Sequence, residues 1–159
     1  MCIRDRSWKF LGFSIIVWAV YSVFTGGDNT YSGAITLGAT SKIVSTGGAQ
    51  TISGATNGGH ALTITSSDNL VISGNVGDST ELSSYTINSS GDATISVNVT
   101  TSGNQSYTAS NGFVLSGART FEGGTITFAS TTTGDNNLTI TGNLVNKNKS
   151  FNWEIKKNI

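Results

Sequence analysis

Between residues 30 and 145 the chain alternates apolar and hydroxyl side chains in short runs, broken by Gly, Asn and Asp. Successive side chains of an extended chain point to opposite sides, so each run has one apolar stripe. In "LTIT", Leu62 and Ile64 share one face and Thr63 and Thr65 the other. In "LVIS", Leu70 and Ile72 lie opposite Val71 and Ser73, and Tyr85/Ile87, Ile126/Phe128 and Leu138/Ile140 form the same kind of pair. Helical periodicity is absent from this region, which excludes folds built from βαβ units. The pattern predicts an all-β chain of strands too short to be stable singly.

The runs also echo one another. Residues 61–74, "ALTITSSDNLVISG", resemble residues 84–97, "SYTINSSGDATISV", at an offset of 23. Leu62, Tyr85 and Tyr107 are predicted to open successive rungs, and Ile64, Ile72, Ile87 and Ile95 to be inward residues of one ladder with threonines outside. A longer offset of 76 places "GGAQTISGATNGGHALTIT" (47–65) on "GGTITFASTTTGDNNLTIT" (123–141) without gaps, and Thr30-Tyr31 on Ser106-Tyr107. Repeats of this kind point to stacked architectures. A parallel β-helix with rungs of about 20–23 residues stacks like side chains on like. The alternative, an antiparallel β-sandwich, does not require its strands to share sequence. The ungapped offsets favour the β-helix. Gly27-Asp28, Gly77-Asp78, Gly91-Asp92 and Gly134-Asp135 fit corners, where positive φ and Asx-turns are useful.

The ends differ from the middle. In residues 1–29, the opening "MCIRDR" resembles translated sequencing-adapter read-through. Arg4, Arg6 and Lys9 precede or enter the hydrophobic stretch Trp8 to Phe24. Its charge-free run of 15 residues from Phe10 to Phe24 falls short of the roughly 20 that span a bilayer. The segment reads as signal- or anchor-like, with Ala19 and Ser22 as candidate small residues for cleavage; a buried element capping a solenoid, or an out-of-frame artefact, are the alternatives. Residues 146–159 form a basic Asn/Lys-rich tail, with a short cap around Phe151, Trp153 and Ile155 as an alternative to a frayed end.

Composition narrows the function. Charged residues make up 11% of the chain and formal net charge is zero, which argues against nucleic acid as a partner. The only cysteine is Cys2, so neither an intrachain disulfide nor a cysteine metal cluster is available. Acid–base catalysis requires titratable groups that converge. His60 lies in a Gly-rich turn, Glu81 and Glu122 are scattered, and Lys42 and Arg119 stand alone in their rungs. The Gly/Asp nonapeptide of calcium-binding rolls is absent. The pairs Thr63/Thr65, Thr125/Thr127 and Thr139/Thr141 match an ice-binding pattern, but Asn88 and Ser96 interrupt it. Sequons at Asn88, Asn98, Asn104, Asn137 and Asn148 are expected by chance in such a composition. No catalytic, cofactor-binding or metal residue is assigned, and an enzyme is not expected.

"TYSGAITLGATSKIVSTGG", followed by "ALTITSSDNLVISGNVGDSTELSSYTIN", resembles the passenger repeats of filamentous-haemagglutinin-type and autotransporter adhesins of bacteria. The resemblance covers about residues 30–145. It implies a right-handed parallel β-helix, export to the bacterial cell surface, association with an outer-membrane secretion partner, and adhesion to host or neighbouring cell-surface molecules. Such a segment is a rigid stalk whose open ends favour self-association. An ice-binding β-solenoid and a polysaccharide-active β-helix enzyme are the alternatives.

Overall fold

The fold was analysed in a computed structural model that describes residues 9–10, 15–17, 22–134, 137–147 and 155–158. All regular structure among these residues is β-strand, and the strands pair in parallel. The chain coils into a β-solenoid of about six turns. Each turn visits three faces in order. Face one holds Lys9–Phe10, Asn29–Tyr31, Gln50–Ile52, Leu70–Ile72, Asp92–Ile95, Gly112–Leu115 and Thr132–Thr133. Face two runs through Ile15–Val17, Ile35–Leu37, Thr56–Asn57, a single bridge at Val76, and Val99–Thr100. Face three holds Ser22–Thr25, Ser41–Ser45, Ala61–Ser66, Ser84–Ser89 and Gln105–Ala109. In the last turns Arg119–Phe128 and Leu138–Asn146 each span faces two and three, with a register shift between Glu122 and Thr125. The parallel ladders exclude the sandwich.

The ladders extend beyond the central repeats. Lys9–Phe10 pairs with Thr30-Tyr31, Ile15–Val17 with Ile35–Leu37, and Ser22–Thr25 with Lys42–Ser45. At the other end Ile155–Asn158 pairs with Leu138–Thr141. The adapter-like opening, Ala19, Asp135, Asn148, Phe151 and Trp153 lie outside the described residues.

The one-sided stripes become the core. Leu62, Ile64, Leu70, Ile72, Tyr85, Ile87, Ile126, Phe128, Leu138 and Ile140 are all buried, as the alternation predicts. Two details of stacking differ from the sequence reading. Ile64 and Ile87 stack on face three, whereas Ile72 and Ile95 stack on face one, so the four isoleucines make two ladders. Tyr107 stands over Ile87, and Gln105 takes the place over Tyr85. The 76-residue offset also fails to mark a stack. The column of Leu62 continues through Tyr85, Gln105, Ile126 and Leu144. Leu138 stands instead over Arg119, on face two. The offset corresponds to three turns plus two further faces. All three faces demand the same inward/outward alternation, so sequence displaced by a face still matches.

Five aromatic rings fill the core of the later turns. Tyr107 stacks on Phe128 with centroids 5.0 Å apart and meets Phe113 and Phe121 edge-on at 5.3 Å; Tyr85 approaches Tyr107 edge-on at 6.3 Å. Such pairs add about 0.5–1.5 kcal/mol each beyond the area they bury. Ala93, fully buried, sits beneath Phe113 in the same column, so a small residue makes room for a large one. The Tyr107 hydroxyl donates to Gln105 Oε1 at 2.7 Å, and Gln105 Nε2 donates to the Glu122 carbonyl at 2.7 Å. A chain of hydrogen bonds therefore accounts for this polar pair inside an apolar core.

Two kinds of corner hold the faces together. After face one, Ser53 N and Gly54 N both donate to the Tyr31 carbonyl, and Ser73 N and Gly74 N to the Ile52 carbonyl. A Cβ at Gly54 would lie 1.8 Å from the Gly33 carbonyl oxygen, and one at Gly74 2.1 Å from that of Gly54. Only glycine permits this approach. After face three, Thr25, Ser45, Ser66 and Ser89 form a buried hydroxyl column. Ser45 Oγ donates to the Gly48 carbonyl at 2.8 Å and Ser89 Oγ to the Asp68 carbonyl at 2.8 Å, satisfying oxygens that the turn leaves unpaired.

Replacing Gly54 or Gly74 by Ala is expected to lower stability by about 1–3 kcal/mol, the usual cost of forcing atoms into a packed site. Gly59→Ala, where a Cβ meets nothing within 4 Å, serves as control and should stay within about 0.5 kcal/mol. Urea unfolding midpoints decide the matter; equal effects at all three positions would refute the close-approach argument.

Burial also sets an alkaline limit. It pushes the Tyr31 phenol up to about 12 and raises those of Tyr85 and Tyr107, the last also through Tyr85. These phenols keep their protons in the fold at pH values where the unfolded chain, with phenols near 10, has released them. Their contribution is therefore complete below about pH 10 and is lost as pH rises through the raised folded values. In a Tyr21→Phe background, phenolate absorbance should appear together with loss of the strand circular dichroism. Full ionisation of the three with the strand signal intact would contradict the assignment.

Candidate functional surface

The outward side chains of faces one and three form the surfaces available for contact. On face three the rows read Lys42/Val44, Thr63/Thr65, Thr86/Asn88, Ser106/Thr108 and Thr127/Ala129, in register from turn to turn. Adjacent parallel strands lie about 4.8 Å apart, so the middle rows form a hydroxyl and amide array of that period. Asn88 is part of the array and keeps its polarity, while Thr139/Thr141 lie on face two and do not continue it.

Face one carries a more regular array that the sequence reading passed over. Its rows are Thr30/Ser32, Thr51/Ser53, Val71/Ser73, Thr94/Ser96 and Val114/Ser116, a β-branched residue and a serine on either side of each inward residue. None of these positions is charged. The signal that would have found it is the recurring corner "YSGA", "ISGA", "ISGN", "ISVN" and "LSGA". Among the described residues, Val114 and, on face three, Phe24 are the exposed large apolar side chains, at 37% and 41%. They lie on different faces and make no common patch.

Corner carbonyl and carboxylate oxygens clamp successive turns. Asp28 Oδ1 accepts Ala49 N, Asn69 Oδ1 accepts Asp92 N, Asn98 Oδ1 accepts Thr120 N and Asn104 Oδ1 accepts Thr125 N, all at 2.9–3.0 Å. Asn57 Oδ1 accepts both Ser79 N and Thr80 N. The sequon residues Asn98 and Asn104 thus have a structural use. The Gly-Asp corners divide: Gly77 and Gly134 have positive φ, 73° and 148°, Gly91 is required by a Cβ position 2.3 Å from Asn69 Oδ1, and Gly27, contrary to expectation, has neither a positive φ nor any atom within 4 Å of a Cβ.

Of the candidate titratable residues, His60, Asp78 and Glu81 lie in corners, whereas Lys42 stands outward on face three. His60 is exposed; its N–H donates to Gly58 O at 2.7 Å, and its carbonyl accepts Ser83 N. That backbone contact ties the His60 turn to the end of the loop carrying Asp78 and Glu81. Hydrogen bonds from Asn57 and Asn75 hold the Asp78 carboxyl below the usual carboxylate range. The amides engage Asp78 as a clamp and lend no proton-transfer geometry. Arg119 donates through Nη1 to the neighbouring Ala118 carbonyl at 2.8 Å, and Glu122 is exposed. Among the described residues no three His, Cys, Asp or Glu side chains gather to hold a metal ion. A shallow groove of about 280 Å³ runs along the corner between faces three and one, lined by Ser110, Asn111, Gly112, Ser130 and Thr131 among others.

No protein-family model, curated protein or solved structure matches the chain. The loop geometry makes one prediction of its own. Asn57→Ala should move the Asp78 titration midpoint upward, towards the ordinary carboxylate value, in a carboxyl chemical-shift titration. An unchanged midpoint would show that Asn57 does not hold the carboxylate.

Proposed function

We propose that the chain is a structural and binding segment of a secreted bacterial surface adhesin, a rigid β-helical stalk displayed at the cell surface. The observation that carries this reading is the set of in-register ladders, continuous through about six turns, that present outward columns rich in Thr and Ser and nearly free of charge. Load along the axis is shared by backbone hydrogen bonds on three faces and by the corner clamps. The likeness of "TYSGAITLGATSKIVSTGG" and the segment that follows to adhesin passenger repeats supports the same reading. Outward Thr, Ser and Asn offer weak contacts to glycans or proteins of host and neighbouring cells. Repetition along the stalk, and of stalks on a surface, turns weak contacts into avidity. An outer-membrane secretion partner of the full-length protein belongs to this reading.

A second reading is favoured by the in-register hydroxyl rows on face three, which suit an ice surface. One preparation separates the two. Beads carrying many copies should adhere to bacterial or host-cell monolayers while the soluble chain binds far more weakly, and the soluble chain should leave ice growth unchanged. Thermal hysteresis without bead adhesion would replace the adhesin reading with the ice-binding one; neither response would remove both.

A further inference from the structure

The chain contains Asn-Gly twice, at Asn57-Gly58 and Asn111-Gly112, and the fold treats the two in opposite ways. Asn-Gly is the dipeptide most open to intramolecular attack of a backbone nitrogen on the asparagine carboxamide, because glycine carries no Cβ to obstruct the approach. Asn57 is half-buried and its Oδ1 holds two N–H groups of the next turn, at 3.0 and 3.2 Å. The attacking group at that site, Gly58 N–H, is itself bonded to the Thr80 carbonyl at 3.2 Å. Asn111 is exposed, and among the described residues its carboxamide makes no hydrogen bond; only its backbone N–H is engaged, with Gly91 O at 3.3 Å. It lies on the wall of the open corner groove, which leaves the side chain free to turn towards Gly112 N. Gly58 and Gly112 both have positive φ, 120° and 139°, so the contrast between the two sites lies in the hydrogen bonds of the asparagine side chain.

We propose that Asn111-Gly112 is a site of spontaneous deamidation in the folded protein, and that Asn57-Gly58 is protected by the turn-to-turn clamp. In the first step Gly112 N forms a bond to Asn111 Cγ. The Cγ–Nδ2 bond breaks, and the amide leaves as ammonia with the proton from Gly112 N–H. Water then opens the resulting succinimide. Addition at the Cγ carbonyl gives aspartate. Addition at the main-chain carbonyl gives isoaspartate, which routes the backbone through the side chain. Either product adds one negative charge to a chain whose formal charge is zero. The isoaspartyl form also lengthens the backbone by a methylene immediately before the face-one strand Gly112–Leu115, disturbing its register with Asp92–Ile95.

The test is to incubate the intact protein at mildly alkaline pH and follow both peptides by mass spectrometry, with isoaspartyl content measured enzymatically. In the folded protein, conversion at Asn111 should outpace that at Asn57 on the order of tenfold or more, because Asn57 must first release two hydrogen bonds. In denaturant the two rates should converge, and Asn111→Gln should abolish the acidic variant that accumulates in the fold. Equal rates at the two sites in the folded state, or an Asn111 that keeps its amide while Asn57 converts, would overturn the proposal.

Discussion

Everything in this molecule depends on the backbone hydrogen bonds that join each turn to the next. In a parallel ladder they run along the solenoid axis, and the spacing of about 4.8 Å brings each side chain into contact with its counterpart in the adjacent turn. A polar residue on an inward column must therefore find its partners within the core, as Gln105 does in accepting from Tyr107 of the same strand. The corners inherit the same constraint. A carbonyl that finds no ladder partner is met by the hydroxyl of Ser45 or Ser89 or by paired N–H groups such as those of Ser53 and Gly54, and an N–H without one donates across turns to an Asx oxygen.

Within that frame the core changes character along the axis. The early and middle turns are filled mainly by isoleucine and leucine, with Tyr31 on face one, and Tyr85, Tyr107, Phe113, Phe121 and Phe128 crowd the later turns. Larger rings require smaller neighbours, which Ala93 and Ala109 supply, both buried. Packing density is thus maintained by exchange of volume between adjacent positions rather than by a uniform repeat. Gln50 marks a compromise: its Nε2 donates to the Thr65 carbonyl at 2.7 Å, while its Oε1 is buried without a partner among the described residues.

The alternation of apolar and hydroxyl residues sufficed to identify the strands and their inward sides, because burial on one face of an extended chain has period two. The offset of 23 residues identified true stacks, since Ile64 and Ile87, and Ile72 and Ile95, do lie one above the other. Which face each strand occupies was not legible. Three faces impose one pattern, so Leu62 and Leu138 look equivalent although they belong to different columns. The clamps were hidden for another reason. The partner of Asn69 is the backbone N–H of Asp92, 23 residues away, and a backbone donor has no residue type to betray it. The regular surface of face one escaped notice because valine alternates with threonine in it, although the serine after each inward residue repeats plainly.

The chemistry of the clamps has a bearing on the surroundings the molecule can tolerate. Four of the five Asx side chains that grip the next turn are asparagines, which carry no charge and do not titrate; Asp28 is the exception. Ion pairs on a protein surface weaken in brine, and carboxylate clamps release as acid protonates them. A stack fastened by amides to backbone donors has clamps whose grip depends neither on salt screening nor on protonation, save at Asp28.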